Sequence, residues 1–341
     1  MDKIRDISIN EAVLHVLDNN ADEPILNNYQ LDINEDSYRF ILSHIERVLK
    51  DDNLRYAKFM DKKNIIKDTC QRYLDGRVNI LPSSSIIAKS LFHFMNQINT
   101  IPSCDLLVVS FSTEYGPMIG ILKIDYIKQY THHIDLVDDN VGVQLTSIKT
   151  VLPDKKKIQK AAFIKPVREN QEYDLLVFDK EYLKDSDEYD KNYFVDKFLK
   201  GYLVENDRDK TKQFLNAVEI WTRSNFKNEA VKAEKLRSNI KFALNTNDEI
   251  DIYELAKKLL PFKENQENFI AYMQDRDLEN IEIDKEYLEK KLSKLKIKVS
   301  SDIDLSITDD AYKDINKFEI KDNGDGSINM IIKNIENYVE K

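Results

Sequence analysis

The sequence predicts an α+β fold in two parts. An N-terminal, largely antiparallel sheet with helices packed on one face would occupy residues 1–185, and a C-terminal helical domain ending in a small β-sheet would occupy 186–341. Three observations predict this. Apolar residues recur at helical spacing up to residue 98, change to alternating or continuous runs between 105 and 178, and return to helical spacing from about Lys191. A chain of 341 residues exceeds what one compact core serves and suits two. Turn residues leave only hairpin-length connections between the central β runs, which makes their sheet antiparallel.

Each element has its own signal. Ile7, Ile9, Ala12-Val13 and His15-Val16 alternate as a first strand. Asp36 stands at the start of a helix with Phe40, Ile41, Ile45, Val48 and Leu49 on one side. A second amphipathic segment runs to Tyr73 and stops at Asp75-Gly76. Ser83-Ser84-Ser85 would cap a third helix striped by Ile87, Leu91, Phe94, Met95 and Ile98 and ended by Pro102. DLLVVSF (105–111) reads as a buried strand, Glu114-Tyr115-Gly116-Pro117 as a turn, and MIGILKI (118–124) as the hairpin partner. Val143 to Leu152, Ala161 to Lys165 and Leu175 to Phe178 are further strands, and the acidic loop EYLKDSDEYD separates the two parts. YFVDKFLKG then reads as a helix with Gly201 just past its end. Helices follow over Lys212 to Phe226 and Val231 to Leu244, from a capping box at Asp251 to Pro261, and over Phe269 to Met273 and Tyr287 to Leu295. DIDLSIT, FEI and SINMII close the chain as strands, the last two joined across an Asn-Gly turn.

Composition excludes several classes of function. Charged residues make up 33% of the chain and Gly and Pro number only 7 each, so long solvated helices are expected rather than a linker-dominated chain. MDKIRDISIN has no apolar core of signal-peptide length. The longest apolar run, Leu106 to Phe111, falls far short of the roughly 20 residues that span a bilayer. A cytoplasmic protein with no membrane partner is therefore expected. Cys70 and Cys104 lack the spacing of a disulfide framework or a zinc site. The net charge is −10, whereas nucleic-acid binding needs Lys and Arg to displace counterions from phosphates. Any such contact must come from a local basic patch on an acidic body.

The order of segments resembles the bacterial nucleoid-associated protein family of the NdpA or YejK type. The resemblance is carried by AVLHVLDN, DLLVVSF, GILKIDY, LPDKKKIQKAAFI, YFVDKFLKG and the terminal unit DLSITDDAYKDINKFEIKDNGDGSINMIIKNI, and it covers nearly the whole chain. It implies residence in the bacterial nucleoid and binding to DNA, with RNA as a second ligand class; a nucleoid protein as partner comes instead from the acidic body, which suits a basic protein. It carries over no catalytic residues, so neither enzyme activity nor a cofactor is expected.

Within that frame the candidate contacts are Lys155, Lys156, Lys157, Lys160, Lys165 and Arg168. They are six basic residues against one acid between Asp154 and Arg168, a net +5. Presented on a loop entering a strand, they would clamp a phosphate backbone without reading bases. The competing reading is a solvated lysine turn. Lys62, Lys63, Lys67, Arg72 and Arg77 form a second basic cluster, and Lys290, Lys291, Lys294, Lys296 and Lys298 a third. Both are diluted by acids such as Asp68, Asp75, Glu286 and Glu289 and read as solvated faces.

Two other classes of function compete with this one. A metal-dependent nuclease would use Asp105, Glu114 and Lys123 on the central hairpin, but Ile121 stands where an acid is needed, so Lys123 reads as a strand-end surface lysine. A scaffold for a basic partner would use the acidic body and the aromatics Tyr253, Phe262 and Tyr272, which read more simply as core. His132-His133 reads as part of a polar loop rather than a metal site, and His15, His44 and His93 as core or core-edge residues. Asp322 to Gly326 lacks the ligand pattern of a calcium loop.

Overall fold

A computed structural model describes residues 4, 6–137, 140–154, 158–182, 192–227, 229–299 and 302–336. The chain divides into two compact units, Met1–Val204 and Glu205–Lys341. The division lies nineteen residues beyond the expected one. Phe194, Val195, Phe198 and Leu199 are buried in the first core, and residues 201–204 join the first sheet.

The first unit contains β1 (Ser8–Leu17), α1 (Glu35–Leu49), β2 (Leu54–Phe59), α2 (Ile65–Leu74), α3 (Ile80–Gln97), β3 (Cys104–Thr113) and β4 (Gly116–Asp125). There follow β5 (Ile127–Val137), β6 (Asn140–Val151), β7 (Lys160–Ile164), β8 (Leu175–Asp179), a π-helical turn (Tyr193–Phe198) and β9 (Gly201–Val204). Seven strands form one sheet in the order β1-β3-β4-β7-β8-β2-β9, every pair antiparallel. The continuous apolar runs of β3, β4, β7 and β8 have the same cause: both faces of this sheet are covered. On one face Val13, Leu106, Val108, Ile121, Ala162 and Val177 pack with α2, α3 and the π-helical turn. On the other, Leu107, Val109, Leu122, Phe163 and Phe178 pack with Ile41, Ile45 and Val48 of α1. The sheet thus has helices on both faces, not one.

Several local signals resolve differently from the sequence reading. The cap of α1 is Asn34, whose side chain accepts the Ser37 N–H at 3.0 Å, two residues before Asp36. The start of α3 is at Ile80 after Asn79, and Ser83 to Ser85 lie inside it, the Ser83 hydroxyl donating to the Asn79 carbonyl at 2.8 Å. That helix stops at Gln97, five residues before Pro102. The π-helical turn is closed by the Leu199 N–H donating to the Phe194 carbonyl, and Lys200, not Gly201, takes the left-handed conformation at φ +46°. His132 and His133 lie in β5, not a loop, while His93 is exposed and His15 and His44 are buried.

The second unit contains α4 (Asp207–Asn225), α5 (Ala230–Thr246), β10 (Glu249–Asp251), α6 (Ile252–Leu259), α7 (Lys263–Gln274), β11 (Asn280–Glu282), α8 (Lys285–Leu292), β12 (Lys294–Val299), β13 (Ile303–Thr308), α9 (Asp309–Lys313), β14 (Phe318–Asp322) and β15 (Ile328–Ile332). Its core gathers Phe214, Trp221, Leu236, Ile240, Leu255, Phe269 and Ile281. The Asp251 carboxylate caps α6 by accepting from the N–H groups of Tyr253 and Glu254 at 2.7 and 3.2 Å. The expected small terminal sheet is two separate ribbons, β12–β13 and β14–β15, and β10–β11 forms a third. Tyr253 and Phe262 are exposed instead of buried in this core.

Candidate nucleic-acid interface

The first predicted patch does not survive intact as a surface. Lys160 opens β7, and its register places it opposite Asp179 of β8 and Lys123 of β4. Its ammonium is buried, 2.6 Å from one Asp179 carboxylate oxygen, 2.9 Å from Glu181 and 5.0 Å from the centre of the Tyr193 ring. A cation held in that way cannot reach a duplex, so Lys160 is corrected from phosphate contact to core ion-pair residue. Burial raises the Asp179 carboxyl above the usual carboxylate range, with Lys160 pulling it back. Lys165 is half-buried, with its ammonium 3.4 Å from the centre of the Tyr173 ring, itself stacked on Tyr56 at 4.0 Å. Arg168 is exposed. Lys155, Lys156 and Lys157 lie outside the described residues.

In the second unit, period-two alternation creates a sharper feature. β12 reads Lys-Leu-Lys-Ile-Lys-Val, and it pairs with β13 so that Lys294, Lys296 and Lys298 stand opposite Thr308, Ser306 and Asp304. Alternate side chains of a strand share a face, so this ribbon has two different ones. Lys294, Lys296 and Lys298 are exposed on one face. Leu295, Ile297 and Val299 are half-buried on the other, together with Leu305 and Ile307. The apolar face lines a groove whose other walls come from α4, α5 and β15, including Val218, Ile240 and Met330. Lys294, Lys296 and Lys298 follow one another along the strand at roughly 6.7 Å, and Lys296 and Lys298 also border the groove. Lys291 is exposed in the preceding turn of α8.

The sequence places these lysines in one cluster with Glu286 and Glu289. The structure separates them, because the helix ends at Leu292 and the strand begins at Lys294. The signal that finds this feature is the change from helical to period-two spacing inside KKLSKLKIKV.

The geometry does not support the nuclease alternative. Asp105 and Lys123 belong to opposite faces of the sheet, since Lys123 pairs with Leu106 and Asp105 with Ile124. Lys123 is buried, not a surface lysine, and is ion-paired with Asp125. Asp105 accepts the Tyr126 hydroxyl, and Ile121 is wholly buried. Among the described residues, no group of three or more His, Cys, Asp or Glu is placed to hold a metal. Cys70 and Cys104 are both free and buried. Among the same residues, no helix is long and apolar enough to cross a membrane.

The family model described as nucleoid-associated protein YejK matches residues 13–340. No curated protein matches the chain.

Proposed function

The chain belongs to this nucleoid-associated family, and from that premise we propose that it binds duplex DNA in the bacterial nucleoid, without sequence preference and without catalysis. The observation that carries the reading is the lysine face of the β12–β13 ribbon. Three exposed ammonium groups on a two-stranded support, with Thr308 and Ser306 opposite two of them and Asp304 opposite the third, suit a sugar–phosphate backbone. Lysine binds phosphate as a point charge, and phosphate contacts position a protein without carrying sequence information. Lys155, Lys156, Lys157 and Arg168 are proposed as secondary contacts. At physiological salt a charge is screened over ~8 Å, so a local cluster acts although the whole chain carries −10. RNA would satisfy the same backbone contacts and is the second ligand class.

Affinity for unrelated duplexes, measured across a salt series, tests this. Each phosphate contact contributes roughly 0.9 to the slope of log affinity against log salt. Replacing Lys294, Lys296 and Lys298 by Gln is expected to weaken binding and flatten that slope by up to about 2.7, with an unchanged thermal midpoint. A parallel variant with Gln at 155, 156, 157 and 168 is expected to have a smaller effect. Full affinity and an unaltered slope in the ribbon variant would remove the ribbon from the interface. A preference for one duplex that persists at high salt would contradict the sequence-tolerant reading.

A further inference from the structure

β5 and β6 pair with each other and with no other strand among the described residues. The pairing runs through Tyr130↔Ser147, His132↔Leu145 and Ile134↔Val143 to Val137↔Asn140. Alternation therefore puts Tyr130, His132 and Ile134 on one face with Val141, Val143, Leu145 and Ser147. The opposite face carries Gln129, Thr131, His133, Gln144 and Thr146, with Ile148 opposite Gln129. On the first face Tyr130, Ile134, Val141, Val143 and Leu145 are each 56–76% exposed. Together they present roughly 500 Å² of contiguous apolar surface, near the upper end for the largest patch on a monomeric protein. A two-stranded ribbon this long is marginal in water unless its apolar face is covered.

We infer that this face is a self-association surface, on which two copies of the chain stack their β5–β6 ribbons apolar face to apolar face about a twofold axis. A twofold contact needs only one patch that is complementary to itself, and an apolar ribbon face can meet a second copy of itself in that way. Doubling the patch buries on the order of 1,000 Å², the lower limit for a specific interface. Charge selects the same occupant. Among the described residues from Tyr130 to Ser147 this face holds no Asp, Glu, Lys or Arg. Two chains of net charge −10 can therefore meet there without opposing like charges at the contact. A phosphate backbone would find on this face only the single ammonium of Lys128 at its foot, and a basic protein no carboxylate among the described residues. Lys128, whose ammonium lies 4.7 Å from the centre of the Tyr130 ring, stands at the foot of the ribbon. The inference is independent of DNA binding.

Sedimentation equilibrium on the purified full chain without nucleic acid, at micromolar concentrations and in low and high salt, tests it. The expected species has twice the chain mass of 40.0 kDa and persists in high salt, because the contact is apolar. Val143→Glu with Leu145→Glu is expected to raise the dissociation constant by at least a hundredfold or so, leaving circular dichroism and thermal midpoint unchanged. Should the glutamates disturb folding, Val143→Thr with Leu145→Thr keeps β propensity and gives the same readout. Thr131→Glu with Thr146→Glu, on the polar face, is expected to leave the dimer intact. A wild-type chain that is monomeric at every concentration would overturn the inference. So would a dimer indifferent to the apolar-face variants, or one broken only by the polar-face pair.

Discussion

A lysine ammonium taken out of water survives as a charge only if a carboxylate goes with it, and Lys160 with Asp179 is such a pair. Removing one partner of a buried pair strands the other, which typically costs about 3–5 kcal/mol. Lys160→Met is therefore expected to lower unfolding free energy by that order in a denaturant titration. Lys160→Met with Asp179→Leu is expected to recover most of the loss; a double variant no better than the single would mean that the pair is not the cause. The run Lys155 to Lys160 looks uniform in the sequence, yet its last member points inward. What decides this is the long-range register of β7 with β4 and β8, which no local pattern records. His15 was legible as core, and the structure adds its consequence. Its Nδ1 accepts the Asn27 N–H at 3.1 Å, and burial pulls its pKa from 6.5 down to about 4. Above pH 6.5 both folded and unfolded states hold it neutral. Between 6.5 and 4 the unfolded state takes up a proton that the folded state refuses, so stability falls as the pH drops through that window. His15→Gln, which keeps an acceptor for Asn27, is expected to lose this part of the acid sensitivity, and superimposable midpoint-against-pH curves would refute the assignment.

Among the elements, β4 shows how closely the sheet is packed. Gly120 lies directly between Val109 of β3 and Phe163 of β7. A Cβ at this position would stand 2.9 Å from Val109 Cγ1, 3.1 Å from Leu122 Cδ1 and 3.2 Å from Phe163 Cδ1. Phe163 is in turn held edge-on against Phe111, with ring centres 5.6 Å apart. Gly120→Ala is thus expected to destabilise the first unit by roughly 1–3 kcal/mol through overpacking, read as a lowered urea midpoint. A neutral or stabilising effect would show that the neighbours relax freely. Most strands of this sheet are legible, because burial on both faces writes them as unbroken apolar runs. β2 is not. LRYAKF carries Arg55 and Lys58 among its apolar residues, and the helical spacing that follows masks it. Helix starts are misread where a side chain of capping type sits inside the first turns, as Asp36 and Ser83 do, while Asn34 and Asn79 take the boundary. At the candidate site the lysines of β12 were visible, but the face they share depends on where α8 stops. Glu286 and Glu289 dilute them in the sequence, whereas the end of the helix at Leu292 leaves those acids on α8 and the lysines on the strand.

For the molecule as a whole, the proposed binding brings a chain of net charge −10 to an acidic polymer, which requires its positive charge to be concentrated locally. The chain divides at residue 204, and each unit has its own core. Separate cores predict separate cooperative transitions. The sequence supplies reporters for both. Trp221 is the sole tryptophan and is buried in the second unit, while both cysteines, Cys70 and Cys104, are buried in the first. Fluorescence therefore follows one unit and thiol labelling the other. Phe269 is buried edge-on against Trp221, ring centres 5.0 Å apart. Phe269→Ala removes that packing at a cost of about 3–5 kcal/mol. In a denaturant series the fluorescence midpoint of this variant is expected to fall steeply, while the concentration at which Cys70 and Cys104 become reactive stays at the wild-type value. If both midpoints move together by the same amount, the two units unfold as one cooperative body and their cores are energetically joined.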